Sequence, residues 1–107
     1  MGEVTENPLC FNVISKAPYP VFGSFNTDYY TTTNGQRARH RANFRLNENE
    51  TSTLCSTGPF FTGQKLDLVI RTIIPVFQCR TGINGDIVIY GRPRAEGRGN
   101  ETWAVCL

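Results

Sequence analysis

The sequence predicts an all-β fold: one antiparallel β-sandwich or closed barrel of about seven or eight strands, stapled by two disulfides. Three observations carry this. No window of a dozen residues shows the 3.6-residue period of an amphipathic helix. Thr, Val, Ile, Phe and Tyr recur in short runs punctuated by Gly, Pro and Asn, the punctuation of strands and turns. Four cysteines, Cys10, Cys55, Cys79 and Cys106, are spread along a chain of 107 residues with no C-x-x-C pair, which favours two disulfides over a zinc ribbon.

Taken in order, residues 1–8 read as a flexible N-terminal segment and residues 9–107 as a single domain. Strands are expected over residues 9–15 and 21–25, separated by Ala17-Pro18-Tyr19-Pro20, where proline cannot donate to a ladder. Tyr29-Tyr30-Thr31-Thr32-Thr33 then meets Asn34-Gly35. That dipeptide favours a two-residue type I′ turn, so residues 29–33 should pair with residues 36–46. Residues 47–53 are polar and read as a loop, and Ser56-Thr57-Gly58-Pro59 as a turn. Residues 66–74 form a strongly apolar strand. Residues 76–81 and 86–90 read as a second hairpin around Gly82-Ile83-Asn84-Gly85, residues 92–100 as an exposed loop, and residues 102–107 as the last strand.

The stretch QRARHRANFRL, residues 36–46, holds the densest chemistry. Strand side chains alternate between faces. Ala38, His40, Ala42, Phe44 and Leu46 fall on one side, and Arg37, Arg39, Arg41, Asn43 and Arg45 on the other. The apolar set should face the core, with His40 a buried neutral imidazole. The arginines should face water, either as a solvated strand face that resists edge pairing or as an anion-binding surface.

Composition bounds the function. Hydrophobic residues make up 39% and charged residues 19% of the chain, which is globular and argues against disorder. The net charge of +2 does not by itself demand a polyanion, but nine of eleven cations are arginine, the side chain suited to bidentate binding of carboxylate, sulfate or phosphate. No apolar run approaches the roughly 20 residues of a membrane helix. No cofactor is expected: the chain has one histidine and no G-x-S-x-G, H-E-x-x-H, Walker or G-x-G-x-x-G motif.

Two functions fit. The first is a non-catalytic, secreted or periplasmic binding module for an anionic glycan or a protein partner, with nucleic acid less favoured. Its surface would comprise Arg37, Arg39, Arg41, Arg45 and Tyr29, joined by Arg92 and Arg94 of the loop 92–98. The second is a small secreted hydrolase such as a nuclease, with His40 as acid, Glu48 or Glu50 as base and Arg39 or Arg41 holding the phosphate. The opposite parity of His40 and the arginines stands against it. For the cysteines, a C-terminal meander would place a strand between Cys79 and Cys106. That predicts Cys10–Cys106 with Cys55–Cys79, the alternative being Cys10–Cys79 with Cys55–Cys106.

Overall fold

The computed structural model describes residues 4–71, 75–93 and 99–106. Among them are ten strands and no helix: β1 (Leu9–Ser15), β2 (Val21–Asn26), β3 (Tyr30–Thr31), β4 (Arg37–Ala38), β5 (Arg41–Leu46), β6 (Thr51–Ser56), β7 (Lys65–Arg71), β8 (Pro75–Gly82), β9 (Ile87–Pro93) and β10 (Asn100–Ala104). They build a first sheet in the order β10-β9-β1-β6, a second sheet in the order β5-β2-β7-β8, and a ribbon of β3 and β4. The sheets pack face to face and do not close into a barrel. Nor is the pairing wholly antiparallel, because β1 runs parallel to β9, with Val13 opposite Ile87 and Ser15 opposite Ile89.

Inward side chains of both sheets form one core. The first sheet contributes Phe11, Val13, Ile87, Ile89 and Ala104, and the second Val21, Phe25, Phe44, Leu46, Leu66, Leu68 and Ile70. The contact between sheets includes an edge-to-face pair, Phe11 on Phe25, with centroids 5.0 Å apart. Phe25 in turn meets Phe44 at 5.5 Å. Such ring geometry contributes beyond the area it buries.

Several expectations are corrected. The predicted hairpin of 76–90 does not form: β8 belongs to the second sheet and β9 to the first, so the turn at residues 83–86 carries the chain across the core. This also overturns the disulfide assignment. With β10 beside β9, Cys79 and Cys106 approach from opposite sheets and bond, with Cα atoms 6.3 Å apart. No strand intervenes, as a meander would have required. The other bond joins Cys10 of β1 to Cys55 of β6, directly opposite each other in the antiparallel register.

The Asn34-Gly35 hairpin forms with a different turn. Gly35 N–H donates to Thr32 O at 2.9 Å, and Thr32 N–H to Gln36 O at 2.8 Å. Gly35 adopts φ +77°, whereas Asn34 stays at negative φ. The loop therefore has three residues, ending in a left-handed glycine rather than a two-residue type I′ turn. Moreover, the ribbon ends at Ala38, and β5 pairs with β2 instead of continuing beside residues 29–33.

That change of partner breaks the alternation in residues 37–46. Phe44 and Leu46 are buried and Ala42 is half-buried, with Arg41 and Arg45 exposed, as expected. At residues 39 and 40 the ladder is interrupted. His40 emerges exposed, its backbone tied to Thr27: Thr27 N–H donates to His40 O at 3.0 Å, and His40 N–H to Thr27 Oγ1 at 2.9 Å. The buried-imidazole expectation is thereby overturned. A strand keeps one side-chain parity only while it keeps one partner ladder.

Candidate anion-binding face

The outer face of the second sheet is built by strand register. One row across all four strands reads Arg41, Asn26, Asp67, Arg80, because Asn26 pairs with both Arg41 and Asp67, and Asp67 with Arg80. A second row places Phe22 between Arg45 and Arg71. Lys65 lies on the same side of β7 as Asp67 and Arg71. Arg39, from the interruption before β5, reaches the same carboxylate. Five arginines and one lysine thus share this face with a single described carboxylate.

Each polar contact here has a visible cause. Asp67 is held between two guanidinium groups, with Arg80 Nε donating to Oδ1 at 3.0 Å and Arg39 Nη1 lying 3.9 Å from Oδ2. Arg41 Nε donates to Asn26 Oδ1 at 2.9 Å. Asn26 and Ser24 point outward in register yet are only 1% exposed: neighbouring long side chains cover them. Aromatic rings support other arginines. Arg80 lies 3.6 Å above Phe61, and Arg45 lies 5.5 Å from Phe22. On the adjoining ribbon, Arg37 and Arg39 sit 3.9 and 4.9 Å from the Tyr29 ring. These stacks spread the guanidinium groups without neutralising them.

Of the residues singled out from the sequence, Arg37, Arg39, Arg41, Arg45 and Tyr29 fall on this face or the ribbon beside it. Arg92 does not: it lies on the outer face of the first sheet, 3.1 Å from Glu101. Arg94 lies outside the described residues. Sequence reasoning missed Arg71 and Arg80. Both were visible as outward positions of apolar strands, but nothing local says that β7 and β8 share a sheet with β5.

The residues of the hydrolytic alternative are not gathered together. His40 and Arg41 are both exposed, so the parity objection falls away. His40 stacks on Tyr30 with centroids 5.0 Å apart. With Arg41 it edges a cavity of about 390 Å³ walled by Phe11, Phe25, Leu54 and Leu66. Glu48 and Glu50, however, sit in the turn at the far end of β5, roughly 25 Å along an extended chain. The Glu50 carboxylate accepts from Asn47 N–H at 2.7 Å. No cluster of three or more metal-ligating side chains occurs among the described residues.

No family model matches this chain, and no curated protein does. A solved structure titled "Trapped Toxin" is similar at a TM-score of 0.46 and 7% identity, over 94% of this chain and 23% of that one. The chain therefore spans less than a quarter of that protein's length.

Proposed function

We propose that this chain is a non-catalytic binding module, a two-sheet sandwich of a secreted or periplasmic protein, that holds an anionic glycan on the outer face of its second sheet. One observation carries the reading: six cations share with one described carboxylate a face about 14 Å wide across its four strands. Arg39 and Arg80, which meet at Asp67, repel within a Debye length of about 8 Å. A sulfated or carboxylated polymer lying across the strands relieves that repulsion, and arginine forks suit its planar or tetrahedral anions. Two disulfides support an oxidising compartment. Among the described residues no helix is long and apolar enough to cross a membrane.

The test is retention on a heparin column over a salt gradient. The triple variant Arg39→Ala, Arg41→Ala, Arg80→Ala should elute much earlier. Its logarithmic salt dependence should flatten by about one unit per lost contact. Unchanged elution, with the melting temperature preserved, would return the face to a solvated role.

The hydrolase reading keeps one supporting observation, the exposure of His40 and Arg41 together at a cavity rim. Incubation with RNA and DNA decides it: cleavage abolished in His40→Ala supports a nuclease, and the absence of cleavage removes it.

A further inference from the structure

We propose that Arg71, at the end of the cationic face, also serves a separate small-molecule site and there binds a small amphipathic carboxylate. A cavity of about 540 Å³ opens between the sheets where β1 passes into β2. Its walls include Tyr19, Phe22, Ile70, Arg71, Val76 and Thr102. The volume lies within the roughly 300–1,000 Å³ of small-molecule sites. Phe22 and Val76 leave 46% and 50% of their surface exposed at its mouth.

Arg71 sets the chemistry. Among the described arginines, Arg37 and Arg45 lie over rings, Arg39 and Arg80 hold Asp67, Arg41 holds Asn26, and Arg92 holds Glu101. Arg71 has no such partner, and its Nε is buried without a hydrogen bond. The Nε is closed to solvent, so a carboxylate entering the cavity would meet the Nη1 and Nη2 amino groups, which as a planar fork take two parallel bonds. None of the described lining residues is acidic.

The apolar walls define the rest of the ligand. Val21, Phe22, Ile70 and Val76 suit an alkyl or aryl body, and a doubly charged phosphate would lose more hydration against them than a carboxylate does. The hydroxyls on the opposite wall are already engaged: Tyr19 Oη donates to Glu101 O at 2.9 Å and lies 2.6 Å from Thr102 Oγ1. They fix the wall and leave Arg71 as the group that reads charge.

Octanoate is the probe, with 1-octanol as its uncharged counterpart and acetate as a head without a body. Each is titrated into the disulfide-intact, isotope-labelled full chain and followed by backbone amide resonances. Octanoate should shift Val76, Asn100 and Thr102 saturably. It should bind at least about tenfold more tightly than octanol or acetate, the scale of one charge-assisted contact. Arg71→Gln should abolish that preference and leave octanol binding alone. Val76→Trp, which fills the mouth from an exposed position, should weaken both. Arg41→Ala should change neither, so failure of the glycan reading and failure of this one are separable. The proposal is overturned if octanoate and octanol bind equally or if the shifts map elsewhere. It is equally overturned if Arg71→Gln keeps the preference. If Arg71→Gln does not fold, unchanged octanoate affinity in Val76→Trp overturns it.

Discussion

The two sheets share a core but present opposite chemistries to water. The second sheet shows Arg41, Arg45, Arg71, Arg80 and Lys65 around Asp67. The first shows Asn12, Thr51 and Thr53, a Tyr90–Trp103 stack at 6.1 Å, and Arg92 already paired with Glu101. A formal net charge of +2 therefore conceals a molecule with one cationic and one nearly neutral face. Cations that merely kept the chain in solution would be interspersed with acids, as on the first sheet. Segregation on one face is what a binding surface requires, and strand pairing rather than sequence proximity produces it.

The largest effect should come from uncoupling the faces. Cys79–Cys106 is the covalent tie between the sheets. Replacing both residues with serine should cost about 2–4 kcal/mol in denaturant unfolding. Removing Cys10–Cys55, which lies within the first sheet, should leave the pairing of the two sheets intact. Amide exchange would then rise across β8 and β10 in the first variant alone. Equal exchange in both variants would break the distinction.

A smaller effect tests the cationic sheet from within. A Cβ on Gly23 would lie 2.5 Å from the Val69 carbonyl oxygen and 2.5 Å from Phe44 Cζ. Backbone cannot yield there without disturbing the β2–β7 ladder, so Gly23→Ala should cost about 1–3 kcal/mol. Gly91, the matching inward glycine of the first sheet, would meet the Tyr19 ring and Ala17 instead. Ala17 Cβ moves only with its backbone and Tyr19 Oη is already hydrogen-bonded to Glu101 O, so thermal melting should find Gly91→Ala destabilising to a similar extent.

The finest comparison is electrostatic. Asp67→Asn removes the one carboxylate of the cationic face and should move heparin elution to higher salt. Arg92→Ala, on the other sheet, should leave elution unchanged. It should alter stability by less than about 1 kcal/mol, because its ion pair with Glu101 is exposed. A shift for Arg92→Ala as large as that for Asp67→Asn would show that net charge, not the face, governs retention.

Much was legible from local pattern. β1 is found at its expected bounds, the apolar run at residue 66 onward is the buried strand β7, and Phe44 and Leu46 face the core as their alternation requires. Arg37, Arg39, Arg41, Arg45 and Tyr29 could be grouped as a candidate surface because one stretch of sequence carries most of them. These features follow from period-two alternation, turn chemistry and cysteine spacing, which act over a few residues. What the chain alone left open depended on partners distant in sequence. His40 is exposed because residues 37–38 and 41–46 pair with different strands. Cys79 reaches Cys106 because the turn after β8 crosses the core rather than folding back. Arg80 joins Arg41 because β2 and β7 lie between them in one register. Local preferences select strands and faces; which strands become neighbours is decided by how all the apolar faces can be buried together, and that is a property of the whole chain.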